Sequence, residues 1–453
     1  MGTDHRARIT LPWGRPGAYH AGMLSHGLDL APFRGVRYVP ERVGDLAAVT
    51  SPPYDVVVRP DGVDELRTSD PHNVVRLILP QAGGEGPASR VAARTLEEWL
   101  HEGVLARDAQ RALYVYEQRR GPTLQRGVIG ALRLGLPADG VVLPHEDVIP
   151  DVVAERSALL RETAANLEPL LLGYRGDTAA RDAAPGAGAP AGSTAAAIDR
   201  AVTRPPLLAT VTEDGFAHRL WALTDPTEIR GVAEDLARRT ALIADGHHRW
   251  ATSRRVAQEH GNAPPWDRAL VLLVDTARYP LQVRPIHRVL RHLPPDRALA
   301  AAAGSFRSRR LERRDTGAAL TALAAAAGPA FVLTDGKGAH HLLDAPAPEL
   351  LRRTVPVGRP EAWRRLDATV LHAALLGAVW QVPDLPSHIA YLHDTDAALE
   401  QAARHGGTAV LMRPVEERTV LELARQGVTM PRKSTSFGPK PATGLVLRLL
   451  EDS

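Results

Sequence analysis

Thr240-Ala241-Leu242-Ile243-Ala244-Asp245-Gly246-His247-His248-Arg249-Trp250 is the stretch on which the fold turns. Its first five residues form an apolar run of strand length. Asp245-Gly246 supplies a tight turn, and Arg249 to Ala257 then reads as the start of a helix. A strand that ends in a glycine turn and opens a helix is the basic step of an α/β fold. Backbone N–H groups at such a junction point outward without intrahelical partners, so an anion is welcome there. Gly246 lets the backbone approach a ligand closely. His247, His248 and Arg249 add donors at the same point. The plainer reading is a capped helix start with solvated histidines. The functional reading is a phosphate-binding turn.

Composition sets the frame. The chain has 453 residues, a hydrophobic fraction of 44%, a charged fraction of 24% and a net charge of +3. These values suit a globular protein of two or three domains. The arginine excess is dispersed and forms no dense basic run with interleaved aromatics, so nucleic acid is not an expected partner. The absence of cysteine excludes disulfides, thiolate metal sites and cysteine nucleophiles, and fits a cytoplasmic enzyme. No apolar run reaches the roughly 18 residues that a membrane helix needs, so no membrane partner is expected. Residues 1–30 lack periodicity and are expected to be a disordered tail; residues 1–22 precede Met23 and leave the true start open.

Outward from the turn, three further landmarks carry polar residues at strand ends or between prolines. Pro52-Pro53-Tyr54-Asp55 presents a carboxylate on a stiff turn, as a base, a metal ligand or a simple Asx turn. Val141-Val142-Leu143-Pro144-His145-Glu146 places a His-Glu pair after an apolar strand, where α/β sheets bind ligands. Met430-Pro431-Arg432-Lys433-Ser434-Thr435-Ser436-Phe437-Gly438-Pro439-Lys440 packs anion-binding donors between prolines. Between the landmarks, residues 176–200 are rich in Ala, Gly and Pro and read as a flexible insertion. Ala112–Gln118 and Arg126–Leu134 read as an antiparallel pair, and Ala269–Asp275 as a strand buried on both faces. Asn73–Pro80 and Leu281–Leu290 read as strands, and Arg364–His372 as the opening of a helix. Ile389–Leu392, Asp394–His405 and Thr408–Arg413 read as β-α-β. The expected organisation is a nucleotide-binding core over 31–295 and a smaller C-terminal α/β unit over 296–453, whose 430–440 loop returns to the site.

In order along the chain, these segments resemble the family catalogued as domain of unknown function 1015. The matching stretches are Phe33–Tyr38, Pro52–Val56, Asn73–Leu77, Tyr114–Gln118, Pro144–Glu146, Asp245–Arg249, Pro285–Arg288 and Met430–Lys440. Several positions depart from the family pattern: Arg432 where proline is usual, Ser436 and Gly438 where aromatics are common, and Trp250 for tyrosine. Val148 stands where threonine is frequent, and no matching lysine follows before Glu155. A more distant resemblance links the Asp245–Arg249 turn to the phosphate-binding turn of the ParB/sulfiredoxin fold. Free-serine kinases built on that fold carry a similar Asp-Gly-His-His-Arg.

These resemblances imply an α/β fold with mixed sheets and some α+β character: a ParB/sulfiredoxin-like core with large insertions, plus the C-terminal unit. They also imply phosphoryl transfer from ATP or ADP to the hydroxyl of free serine or a similar metabolite. In that scheme Gly246, His247, His248 and Arg249 hold phosphate, Lys433, Ser434 and Thr435 close over it, and Asp245 holds Mg²⁺. The base lies N-terminal to the turn, with Asp55 and Glu146 as its candidates, His145 beside Glu146, and Glu41 a further carboxylate. Two alternatives stay open: a hydrolase or lyase acting on a phosphorylated metabolite, with His145, Glu146, His247, His248 and His287 as ligands, and a non-catalytic nucleotide-responsive regulator.

Overall fold

The structure is a computed structural model that describes residues 27–54, 56, 60–82, 86–177, 193–311 and 315–450. It is a mixed α/β architecture built on a nine-stranded sheet. Eight strands run in the order Val142–Leu143, Ala241–Asp245, Leu170–Tyr174, Arg268–Asp275, Thr123–Arg133, Leu113–Arg120, Ala217–Leu223 and Leu208–Val211, and Leu30–Ala31 pairs alongside Thr123–Arg133.

At the middle of the sheet, Ala269 to Asp275 are all buried. This strand runs parallel to Leu170–Tyr174 and antiparallel to Thr123–Arg133. Both sheet faces are covered, which is why the run lacks the polar alternation of a half-exposed strand. Side chains of Ala241–Asp245 alternate between two cores. Leu242 and Ala244 pack with Leu143, Leu272, Met430 and Phe437 on one face. Ala241 and Ile243 pack with Ile198, Leu236 and Trp250 on the other. Helix His247–Glu259 follows directly and lies against helix Pro150–Thr163.

The smaller unit is a six-stranded sheet in the order Arg307–Arg310, His340–Asp344, Phe331–Thr334, Thr408–Leu411, His287–Leu290 and Ile389–Leu392. Ile389–Leu392 and Thr408–Leu411 flank His287–Leu290, both antiparallel to it, with helix Thr395–His405 between them in the chain. The chain then returns to the larger body. Ser436–Gly438 pairs with Gln282–Arg284, and Leu447–Leu449 joins a four-stranded sheet with Gly35–Tyr38, Leu105–Arg107 and Ala165–Asn166.

Three expectations need correction, and a fourth is extended. Asn73–Pro80 contains a short helix, Val75–Ile78, because the Asn73 side chain accepts the Val75 N–H at 2.9 Å and turns the chain. Leu281–Leu290 is two strands in different sheets, separated at Pro285, which offers no N–H to a ladder. Asp367–Val370 does open a helix, but the chain continues as a π-helix over Leu371–Val379. Ordered structure begins before residue 31: Leu28 is fully buried and donates its N–H to Leu236. Within 176–200, residues 178–192 lie outside the described residues, and Thr194 begins a helix capped by Ser193, with Ile198 buried.

Candidate functional site

Asp245 ends the strand, and Gly246 takes φ +96° as the N-cap of the following helix. Only glycine adopts that conformation without strain. An added Cβ at Gly246 would lie 3.2 Å from the Arg249 guanidinium and from Leu170. The turn therefore presents the first N–H groups of a 13-residue helix at the end of the sheet.

The side chains beside the turn are more inward than the sequence suggested. Arg249 is buried; its guanidinium donates to Asp245 Oδ2 at 2.6 Å and to the Pro169 carbonyl at 3.0 Å. His247 Nε2 accepts the His145 N–H at 3.2 Å, and His248 Nε2 accepts the Ile149 N–H at 3.0 Å. Those ring nitrogens act as acceptors, so the N–H of each neutral ring is at Nδ1. Burial, then electrostatic repulsion between its charged form and His145, His248 and Lys440, holds His247 well below the ordinary imidazole range. Two histidines and an arginine thus fix the turn to the 145–149 and 169 segments.

His145 and Glu146 follow strand Val142–Leu143, which runs parallel to the strand entering the turn. The 430–440 loop comes back over them. Met430 N–H donates to the His145 carbonyl at 2.8 Å, His145 Nε2 meets the Thr435 hydroxyl at 2.9 Å, and Glu146 Oε1 accepts the Lys433 N–H at 3.0 Å. Phe437 packs edge-on against His145 with ring centroids 5.3 Å apart. Burial lowers His145 to a pKa of about 4, so it is neutral at neutral pH. Burial raises the Glu146 carboxyl, helped by the Asp245 charge and opposed by the Lys433 N–H and the Lys433 and Lys440 charges. A carboxyl whose proton affinity is raised is better suited to accept and release a proton.

Of the other candidates in the loop, Ser434 is buried and donates to the Pro431 carbonyl, while the Lys433 side chain is exposed. Asp55 lies outside the described residues. Its neighbour Tyr54 donates its N–H to Glu168 at 2.9 Å, and the Arg156 and Arg249 guanidiniums lie 4.1 and 5.8 Å from the Tyr54 ring centroid. The Pro-Pro-Tyr turn therefore reaches the same corner. Glu41 is exposed on the short helix Pro40–Val43. Lys440, the last residue of the fourth landmark, pairs its ammonium with Asp245 Oδ1. Its chemistry was visible in the sequence, but its partner was not.

The donor set does not fit a metal at Asp245. One carboxylate oxygen meets Arg249 and the other Lys440, so its charge is already met by two cations. His145, Glu146 and His247 offer ligand atoms within 4.8 Å of one another, a set suited to a transition metal rather than Mg²⁺. Glu146 Oε1 and His247 Nε2 accept N–H groups of the protein, and His145 Nε2 meets the Thr435 hydroxyl. A cavity of about 60 Å³ lies beneath Arg249, lined in part by Arg156, Glu168, Thr252 and Ser253. A larger cavity of about 920 Å³ adjoins Tyr174, Arg239 and Ala241, at the opposite end of the strand from Asp245.

A family model described as "Protein of unknown function (DUF1015)" matches residues 30–369. No curated protein matches the chain. Among solved structures, a free serine kinase mutant in complex with ADP is similar at 15% identity and TM-score 0.36, covering 70% of this chain and 90% of that one. Free serine kinase in complex with AMP is similar at 16% identity and TM-score 0.33, covering 66% and 83%. SbnI with a C-terminal truncation, from Staphylococcus aureus, is similar at 9% identity and TM-score 0.35, covering 72% and 90%. Among the described residues, no helix is long and apolar enough to cross a membrane.

Proposed function

This chain belongs to the DUF1015 family, and from that premise we propose that it is a small-molecule kinase. It transfers a phosphoryl group from ATP or ADP to the hydroxyl of free serine or a similar small metabolite. The observation that carries this reading is the meeting of three parts at one sheet end. They are the Gly246 helix N-terminus, the carboxyl of Glu146, and the 430–440 loop that bonds to Glu146 and Asp245.

Phosphoryl transfer asks a protein mainly for positioning and charge neutralisation. The N–H groups after Gly246 receive the terminal phosphates of the donor. The acceptor oxygen attacks the terminal phosphorus, and the bond from that phosphorus to the bridging oxygen breaks. ADP or AMP leaves, and the hydroxyl proton goes to Glu146. His145, neutral and fixed by Thr435, holds the segment that carries Glu146. Lys433 and Lys440 bring positive charge next to Glu146 and the turn. Mg²⁺ belongs to the nucleotide phosphates in this scheme and takes no ligand from Asp245.

The test is a thermal-shift series with ATP, ADP and AMP, with and without Mg²⁺, followed by nucleotide turnover with a panel of hydroxy amino acids. Stabilisation by nucleotide and turnover that requires an acceptor are expected. Absence of any nucleotide-induced shift sinks the reading.

One observation favours a second reading. The His145, Glu146 and His247 ligand atoms are close enough to share a transition metal, which would suit a metal-assisted hydrolase or lyase. Elemental analysis of protein incubated with Zn²⁺ or Mn²⁺ and then dialysed decides it. One retained equivalent that is lost in His247→Ala favours the second reading over the first.

A further inference from the structure

Arg288 sits on strand His287–Leu290 of the smaller sheet and is fully buried. One Nη donates to the Lys433 carbonyl at 2.9 Å and meets His372 Nε2 at 3.1 Å; the other donates to the Ile286 carbonyl. The Tyr391 ring lies 5.2 Å from the guanidinium carbon. The Asp384 and Glu146 carboxylates act on Arg288 only through space, without a direct ion pair among the described residues, and its Nε has no hydrogen-bond partner. A buried cation whose hydrogen-bond partners are all neutral is costly, and an apolar side chain at this strand position would cost less. The expense points to a task other than packing.

Lys433 is the residue on which that task falls. It holds φ +58°, the left-handed region that a side-chain-bearing residue enters at a cost of about 1–2 kcal/mol. Both of its peptide groups are gripped. Its N–H donates to Glu146 Oε1 at 3.0 Å, and its carbonyl accepts from Arg288 at 2.9 Å. The grip on the carbonyl comes from the smaller unit and the grip on the N–H from the larger one. His372, the third member, stands on the π-helix Leu371–Val379, an irregular turn of the kind often found near functional sites.

We propose that Arg288 is a positioning residue that holds Lys433 in its left-handed conformation, so that the Lys433 N–H stays on the Glu146 carboxylate. Arg288 thereby ties the smaller unit to the proposed base. That last step rests on the reading of Glu146 as the base; the conformational step does not.

Hydrogen exchange of the full chain without substrate tests the conformational step directly. Arg288→Met should speed exchange in the 430–440 segment by about ten- to a hundredfold, the factor expected for losing a charged hydrogen bond. Adding Lys433→Gly should restore much of the protection, because glycine enters the left-handed region without the arginine's help. General structural damage would not be repaired by a glycine. If Arg288→Met does not fold, Arg288→Lys carries the test: it keeps the charge, loses the planar fork, and should give partial acceleration. Unchanged exchange in the folded arginine variant, or no recovery on adding glycine, overturns the proposal. Failure of the kinase reading shows separately, as a wild-type chain that neither binds nucleotide nor turns it over.

Discussion

Lys440 places its ammonium on the carboxylate of Asp245, joining the last basic residue of the C-terminal loop to the end of the strand that carries the turn. Arg249 takes the other carboxylate oxygen at 2.6 Å. The Asp245 carboxylate is therefore clamped from the helix side and from the loop side.

Lys440→Met removes one of those two cations from a buried carboxylate. Breaking such a pair costs roughly 3–5 kcal/mol. Denaturant unfolding should show a lower midpoint, and nucleotide affinity measured by calorimetry should fall about tenfold or more as the loop loses its attachment. An unchanged midpoint means that the ion pair is not formed in solution.

Gly246→Ala forces a side chain into the left-handed region and within 3.2 Å of Arg249 and Leu170. The expected loss is about 1–2 kcal/mol of stability, seen as a fall of a few degrees in Tm. Nucleotide-induced stabilisation should shrink with it, because the displaced N–H groups are those offered to phosphate. A variant that binds nucleotide as the wild type does would place the phosphates elsewhere.

Glu146→Gln keeps the shape and the oxygen that accepts the Lys433 N–H, but it cannot take a proton. Acceptor-dependent turnover should drop by about 10²–10⁴-fold with nucleotide binding little changed. Full turnover in this variant moves the base to another carboxylate, and Asp55→Asn becomes the next measurement.

Stability should fall in mild acid. Burial lowers His145, His218, His287 and His372 to about 4 from an ordinary value of 6.5, and holds His247 well below that ordinary value. Between those values the unfolded chain binds more protons than the folded one. The stabilisation is thus fully present above pH 6.5 and is lost as the pH falls toward 4. Glu146 and Glu417, both raised by burial, work in the opposite direction but are outnumbered by the lowered histidines. Urea unfolding at pH 7.5 and pH 5 should differ by on the order of a few kcal/mol. A flat profile would show that these imidazoles are solvated.

Much of the fold was legible because local patterns agreed with it. Asp225-Pro226 is a local helix-start signal, and Asp225 caps the helix Pro226–Leu236 through the N–H groups of Thr227 and Glu228. The alternating and continuous apolar runs marked the strands Leu113–Arg120, Thr123–Arg133 and Arg268–Asp275. Misreadings fell where a side chain or a proline overrode the pattern: Asn73 turned an apolar run into a helix, and Pro285 divided one strand between two sheets. Within the candidate site, residue types were readable but directions were not. Arg249, His247 and His248 looked like phosphate donors, yet each is engaged with the protein's own backbone or with Asp245.

The sequence alone determined the strand-turn-helix at 241–259, the glycine at its corner and the chemical character of the four polar landmarks. Each of these depends on neighbours a few residues apart. Only the tertiary structure decided that Glu146 meets Lys433, that Lys440 meets Asp245, and that Arg288 reaches across from the second sheet. Those pairings join segments far apart in the chain, and no local pattern encodes them. They form because burying the two sheet faces fixes where each strand ends, and the strand ends bring the charged groups together.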